Sequence, residues 1–283
     1  MIFWIASYPK SGNTWLRALL SAYYYTIDGI YTGDILLNHI DKFPQKKYLS
    51  KFQYNLTKPG ETGKFWIKAQ ELINIDKKVK FFKTHNLLNT KGDHRFTDSK
   101  NTIGAVYIVR DPRNVITSYK NHFGLSYEDA LKHMLDETKF TYDPSKNDDL
   151  SDFQFISSWE KNYQSWMLNK SFPIMIIKYE NLVDETFTVF RNLIYFIDKI
   201  CNTKKKFDKK KALNVLKSTN FSRMKKIELK NGFSEAVTTK DGKNKIPFFF
   251  LGPENDFRKK LNINFQEKLK ITFKSNLQEL KYL

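Results

Sequence analysis

The sequence has one cysteine and no long apolar run. Because Cys201 stands alone among 283 residues, the chain cannot form an internal disulfide, and no paired-histidine spacing offers a structural zinc site. A reducing, cytoplasmic location is the simpler expectation. The longest apolar stretches, such as residues 172–177, have the length of a strand and fall well short of the roughly 18 residues that span a bilayer. We therefore expect no transmembrane segment and a fold that depends on an ordinary hydrophobic core.

A Walker A sequence is also absent. The chain contains no Gly-Lys-Ser or Gly-Lys-Thr, and in its one phosphate-loop-like segment the lysine precedes the glycine. No carboxylate cluster suits magnesium, so we predict no metal. Magnesium-nucleotide kinases are thereby disfavoured, although a magnesium-dependent nucleotide phosphotransferase remains an alternative.

Positive charge is abundant. The chain has 48 lysine and arginine residues against 30 aspartate and glutamate residues, a net charge of +18. This excess favours an anionic partner, which can be a nucleic acid, an anionic lipid, or a small molecule that carries phosphate or sulfate. The lysine triplets at 204–206 and 209–211 are more typical of a solvated helix face and the loop before it than of a binding patch. A non-enzymatic basic protein that binds anions is a second alternative.

Four short β-branched or aromatic runs alternate with helical patterns. They are Ile2–Ser7, Val79–Thr84, Ala105–Val109 and Ile174–Lys178. This alternation predicts an α/β fold, a single domain over residues 1–283 in which helices flank a central parallel sheet. Residues 139–152 are predicted to form an acidic surface loop. In such sheets the ligand crevice lies outside the carboxyl ends of the strands, so chemistry is expected just after these runs.

The strongest local signal is a loop of small residues between the first strand and a helix. It reads Ser7-Tyr8-Pro9-Lys10-Ser11-Gly12-Asn13-Thr14-Trp15. Such a strand, loop and helix can form a P-loop-like phosphate cradle, because free backbone N–H groups and the positive end of the helix face the anion. The lysine adds a mobile charge. From the residues alone, a plain turn is the alternative.

A second signal follows the third strand run. Arg110 leaves the carboxyl end of that strand, and Asp111 and Pro112 are typical of a helix N-cap followed by proline at the first helical position. Ser118 lies two helical turns beyond Arg110. From this segment alone, an ion pair between Arg110 and an acidic neighbour is as good an interpretation as a binding role.

Together the two segments resemble the cofactor-binding signatures of the cytosolic-type sulfotransferases, which move a sulfuryl group from 3'-phosphoadenosine 5'-phosphosulfate (PAPS) to an acceptor. The first resembles the family's 5'-phosphosulfate loop, with Asn13 where threonine is usual. The second resembles its 3'-phosphate signature, which implies that Arg110 and Ser118 hold that phosphate. Further matches follow in the family's order, at Lys83-Thr84-His85, at Tyr179 and at Thr219 to Phe221.

The resemblance implies roles for these residues. His85 would be the general base of an in-line displacement, with Lys10 at the bridging oxygen and 5'-phosphate and Lys83 at the transferring group. Trp15 and Phe221 would sandwich the adenine. The implied donor-binding residues are Lys10, Ser11, Gly12, Asn13, Thr14, Trp15, Arg110, Ser118, Tyr179, Thr219, Phe221 and Gly252.

One segment departs from the family. Where an Arg-Lys pair before a glycine usually holds the 3'-phosphate, this chain has Phe250 and Leu251 before Gly252. We expect Arg258, Lys259 or a lysine of residues 199–230 to supply the missing charge.

The resemblance also bears on partners. It implies a small-molecule acceptor, no nucleic acid, and acceptor contacts from aromatic residues within 23–66 and 122–158. A homodimer is a further expectation, because Lys259, Asn262, Ile263 and Glu267 distantly resemble a C-terminal dimer motif of the family.

Overall fold

The computed structural model describes residues 1–88, 94–142, 149–203, 205–239 and 243–283. Its strands are β1 (Ile2–Ser7), β2 (Asp41–Lys42), β3 (Lys80–Thr84), β4 (Thr102–Val109), β5 (Phe140–Thr141), β6 (Gln154–Phe155) and β7 (Ile174–Lys178). Its helices are α1 (Asn13–Tyr25), α2 (Lys46–Leu49), α3 (Trp66–Ile73), α4 (Pro112–Phe123), α5 (Tyr127–Leu135), α6 (Trp159–Met167), α7 (Tyr179–Asp184), α8 (Thr186–Ile200), α9 (Lys209–Ser218), α10 (Phe221–Asn231), α11 (Phe257–Lys260), α12 (Ile263–Thr272) and α13 (Lys274–Glu279).

A five-stranded parallel sheet organises the molecule. Its strand order is β2-β3-β1-β4-β7, and every neighbouring pair is parallel. The carboxyl ends of β1, β3, β4 and β7 therefore lie along one edge. The loops and helices that carry Lys10, His85, Arg110 and Tyr179 begin at this edge. The parallel sheet flanked by helices confirms the predicted α/β fold.

Both faces of the sheet are buried, as continuous apolar strands require. Along β1, side chains alternate between the faces, with Trp4 on one and Phe3 and Ile5 on the other. Helices α3, α4, α5, α6, α12 and α13 contribute to the core on the Trp4 face, whereas α1, α7, α8, α9 and α10 contribute to the core on the opposite face. The strand ends that carry the site are thus fixed from both sides.

The sequence-based boundaries need two corrections. Strands β3 and β4 begin at Lys80 and Thr102 rather than at Val79 and Ala105. The surface loop predicted over residues 139–152 is wrong at both ends, and its residues 143–148 lie outside the described residues. Strand β5 pairs antiparallel with β6. Asp152 is fully buried, and Lys42 on β2 compensates its charge with an Nζ 2.8 Å from the carboxylate.

Candidate active site

The loop after β1 has the backbone of an anion cradle. Lys10 and Gly12 both have left-handed φ values, +67° and +103°. A Cβ atom on Gly12 would lie 2.5 Å from Cδ2 of Tyr179, so only glycine fits against that ring. Because Gly12 is the N-cap of α1, no side chain caps this helix. The first backbone N–H groups of α1 are therefore available to an anion.

Arg110 connects the end of β4 to this loop. Its Nη1 donates to the carbonyl of Lys10 at 3.0 Å, and its guanidinium lies 4.2 Å from the centre of the Tyr179 ring. The Nε of Arg110 and the Oγ of Ser11 are buried without a hydrogen-bond partner. Unsatisfied buried polar atoms around a positive loop fit an anionic ligand that supplies the missing acceptors. The ion pair between Arg110 and Asp111 does not form, because Asp111 pairs with Arg113 at 2.7 Å.

Two lysines bring positive charge to the same edge. Burial lowers the pKa of Lys10 to about 7 and that of Lys83 to about 8. The ammonium group of Lys10 lies 4.0 Å from the centre of the Phe248 ring. Buried cations with lowered pKa values gain stability when an anion arrives, since the anion favours their charged form.

His85 follows β3 and has its ring held from one side. Its Nδ1 lies 2.7 Å from the carbonyl oxygen of Ser7, and because a carbonyl only accepts, Nδ1 carries the proton of the neutral ring. The Nε2 atom is then the basic nitrogen. Gln154 accepts from the His85 backbone N–H at 2.8 Å, and Asn162 donates to its carbonyl at 3.0 Å. Burial, followed by the charge of Lys83, lowers the pKa of His85 to about 3, so the ring is neutral at neutral pH.

Glu235 is a site residue that sequence reasoning missed. Its carboxylate accepts from Thr14 Oγ1 at 3.0 Å and from Arg17 Nη1 at 2.5 Å, and lies 3.5 Å from Lys83 Nζ. Burial alone would raise the pKa of Glu235, but Arg17 and Lys83 hold it well below its usual range. The residue lies on the irregular segment after α10, and no motif or periodicity marks it.

One cleft of about 1040 Å³ brings these groups together. It is lined by residues of the loop after β1, among them Lys10, and by Lys83, His85 and Glu235. Of the predicted donor-binding residues, Ser11 and Thr219 are fully buried and do not line the cleft. The Thr219 hydroxyl donates to the Val215 carbonyl at 2.8 Å at the C-terminal end of α9. The others that line the cleft are Lys10, Gly12, Asn13, Thr14, Trp15, Arg110, Ser118, Tyr179, Phe221 and Gly252. The structure thus gathers ten of the twelve along one surface.

Aromatic residues form part of the cleft wall. The Trp15 ring meets Tyr179 edge-on at 6.0 Å, and Phe221 packs so closely on Gly252 that a Cβ there would lie 2.3 Å from the ring. Trp15 and Phe221 both line the cleft, so a flat ring system has aromatic walls available there.

The predicted acceptor loops contribute to the cleft wall. Phe123 and His122 line the cleft, and burial and the charge of Lys10 lower the pKa of His122 to about 3. Tyr142 of the second range also lines the cleft, whereas Phe43, Trp66 and Phe153 belong to the core. The sequence alone could not distinguish residues that line the cleft from residues of the hydrophobic core, because both positions favour large apolar side chains.

Of the cations proposed to replace the Arg-Lys pair, Lys225 is the best placed. Its Nζ lies 3.5 Å from the Phe250 carbonyl oxygen, one helical turn beyond Phe221. Lys225 itself is not among the residues that line the cleft, but its partner Phe250 is. Arg258 and Lys259 also lie outside the lining, and Arg258 pairs with Asp256 at 2.9 Å.

The described ranges contain neither a membrane-spanning helix nor a cluster of metal ligands. No helix within residues 1–88, 94–142, 149–203, 205–239 and 243–283 is long and apolar enough to cross a membrane. Over the same residues, no three His, Cys, Asp or Glu side chains gather as metal ligands would.

Comparison with known proteins identifies the family. A model of the sulfotransferase domain matches residues 2–281. Sulfotransferase 1B1 of Mus musculus is 22% identical over 277 residues, 96% of this chain and 81% of that protein. Luciferin sulfotransferase of Photinus pyralis is 23% identical over 235 residues, 78% of this chain but only 56% of that protein, so the chain spans little more than half of its length.

A solved structure shows the same fold. Mouse sulfotransferase SULT7A1, crystallised in complex with PAP, has a TM-score of 0.57 at 19% identity over 98% of this chain and 84% of that one. Because the domain match covers nearly the whole chain, the protein belongs to the sulfotransferase family.

Proposed function

We propose that this sulfotransferase moves a sulfuryl group from PAPS to a hydroxyl or amine of a small-molecule acceptor. The observation that carries the proposal is the meeting of Lys10, Lys83 and His85 with the uncapped start of α1 in one cleft. The relative crystallised with PAP, which is adenosine 3',5'-bisphosphate and the product that PAPS leaves, supports the choice of donor.

The donor would lie along the sheet edge. Its phosphosulfate end would meet the N–H groups of α1, Thr14 and the two lysines, and its adenine would lie between Trp15 and Phe221. Ser11 Oγ and Arg110 Nε have unsatisfied hydrogen-bonding capacity close to this path. The 3'-phosphate would be held by Arg110 and Ser118.

His85 would act on the acceptor. Its Nε2 takes the proton of the acceptor hydroxyl while the acceptor oxygen bonds to sulfur and the bond from sulfur to the phosphate oxygen breaks. The departing phosphate gains negative charge, which Lys10 and Lys83 would stabilise in place of solvent. The Ser7 carbonyl stabilises the imidazolium, because Nδ1–H donates to it throughout.

A turnover assay tests the function. The protein is incubated with PAPS and a panel of phenols, alcohols and amines, and sulfated product is measured by mass spectrometry with and without EDTA. We expect sulfation that EDTA leaves unchanged, and a rise in Tm with PAP but not with ATP and magnesium. ATP stabilisation with magnesium-dependent transfer would support the phosphotransferase alternative. Anion binding with a steep salt dependence and no transfer would favour a non-enzymatic protein.

Lys225→Ala tests how the donor's 3'-phosphate is held. The ammonium beside Phe250 would replace the charge of the family's Arg-Lys pair, so we expect the variant to weaken PAP binding about three- to tenfold, as loss of one charge-assisted hydrogen bond at an exposed site does. Adenosine 5'-monophosphate, which lacks the 3'-phosphate, should lose no affinity. Isothermal titration calorimetry of both ligands measures this.

Lys226→Ala is the matched control, because it removes the same charge from the next, exposed residue of α10. An equal loss of PAP affinity in both variants, or an equal loss for both ligands, would show a general charge effect instead of a 3'-phosphate contact.

Three further expectations remain predictions. These are the single domain over residues 1–283, the cytoplasmic location and the homodimer. Ile263 is two-thirds exposed and Glu267 pairs with Lys270, so the residues of the dimer motif lie at the surface. Light scattering of the purified protein decides the oligomeric state.

A further inference from the structure

The charges that line the cleft are very unequal. Among the described residues that line it, six are lysine or arginine and Glu235 is the single carboxylate. That carboxylate lies among the cations, at 2.5 Å from Arg17 and 3.5 Å from Lys83, and about a quarter of its side chain is exposed. Glu235 therefore supplies the negative charge that balances these cations, as a bound anion would.

The partners of Glu235 are of two kinds. Arg17 is fixed independently, because its Nη2 also donates to the carbonyls of Leu37 and Ile40 at 3.2 and 3.1 Å, and its side chain is only 5% exposed. Thr14 and Lys83 are different, since both belong to the groups that the proposed donor requires at its phosphosulfate end. The Glu235 carboxylate thus has one partner that is fixed independently, Arg17. Its other two partners, Thr14 and Lys83, are groups that the donor would need.

Phe248 covers a second cation that the donor requires. Its ring lies 4.0 Å from the Lys10 ammonium, and the backbone N–H groups of Phe248 and Phe249 donate to Glu228 at 2.7 and 2.9 Å. Glu228 thereby fixes Phe248 and Phe249 to α10. Glu235 and Phe248 thus each contact one of the two lysines that the donor requires.

We propose that Glu235 is an internal counter-ion that competes with the 5'-phosphosulfate end of the donor for Thr14 and Lys83. This inference rests on the proposed function. Donor binding then requires the carboxylate to release Thr14 and Lys83 while Arg17 retains it. The observed donor affinity is the intrinsic affinity multiplied by the fraction of protein in which the carboxylate has released both groups. Glu235 thereby sets the affinity for the donor without touching its adenine or 3'-phosphate.

Glu235→Gln separates this role from a supporting one. The amide keeps the shape of the side chain and an acceptor for Thr14 but removes the charge. We expect PAP to bind about three- to tenfold more tightly, because less of the protein is held in the engaged state. Adenosine 3'-monophosphate, which lacks the 5'-phosphate, should bind with wild-type affinity. Glu235→Ala should show the same pattern if the glutamine variant is poorly folded.

Isothermal titration calorimetry with both nucleotides at about pH 6, below the pKa of both lysines, measures the effect. Glu254→Gln is the control, because it makes the same charge change on an exposed residue near the cleft. Weaker PAP binding in the Glu235 variants, or an equal gain for both nucleotides, overturns the inference and leaves the proposed function standing. Failure of the wild-type protein to bind PAP contradicts the proposed function itself.

Discussion

Replacing His85 with asparagine is expected to lower kcat for sulfuryl transfer by about 10²–10⁴-fold, the range for loss of a general base. The asparagine amide can donate to the Ser7 carbonyl, as Nδ1 of His85 does at 2.7 Å, but it cannot take up a proton. The loss should therefore appear in kcat, whereas the dissociation constant of PAP should not change. Steady-state kinetics with PAPS and the best acceptor, together with calorimetry for PAP, measure the two quantities.

His39→Asn is the matched control. His39 is exposed and stacks on Tyr25, away from the cleft lining. Its replacement should leave kcat unchanged. A His85→Asn protein that keeps the wild-type kcat would refute the assignment of the base, and a parallel loss of PAP affinity would show that the imidazole supports the donor site instead.

The low pKa of His85 gives the same variant a second signature. Its folded value of about 3 lies below the value near 6.5 of an unfolded chain, so the unfolded state binds more protons between these two pH values. The stability contributed by the neutral ring is fully present above about pH 6.5 and is lost as the pH falls towards 3. Urea unfolding across this range should show a weaker acid dependence for His85→Asn. The dependence should not vanish, because the pKa of His122 is lowered in the same direction.

Local sequence signals predicted the framework of the site. The runs that became β1 and β7 have the predicted bounds, because short β-branched and aromatic stretches between helical patterns are a local signal. Asp111 caps α4 through the backbone N–H of Arg113, with Pro112 at the first turn, as the dipeptide indicated. The phosphate loop was equally accessible, since its lysine, glycine and helix start are consecutive.

Long-range contacts account for what the sequence did not predict. Glu235 reaches Lys83 across 152 positions of the chain, and Asp152 reaches Lys42 across 110. A single acidic residue carries no information about which distant cation it will meet, so one was overlooked and the other was placed in a surface loop. Partners so distant in the sequence depend on the tertiary fold.

Lys10→Met is expected to lower kcat/KM for PAPS by about 10²–10³-fold, because it removes a preorganised charge from the oxygens that become negative in the transition state. Methionine has a similar length and keeps an apolar contact with Phe248. The cradle backbone should persist, since lysine already adopts the left-handed φ of +67° at this position and methionine has no branch at Cβ. Lys226→Met, at an exposed position, is the control for loss of a positive charge and should match the wild-type enzyme.

The pH dependence of PAP binding shows whether the Lys10 ammonium contacts the donor or has only a structural role. Burial lowers the pKa of Lys10 to about 7 and that of Lys83 to about 8 in the ligand-free protein, and a bound phosphate raises both by favouring the charged forms. Binding therefore takes up protons above these values, and wild-type affinity should fall as the pH rises through 7 and 8. In Lys10→Met the decline should begin only near 8, because Lys83 alone remains to be protonated. Identical pH profiles for the two proteins would mean that the Lys10 ammonium does not meet the donor, whatever the loss of turnover.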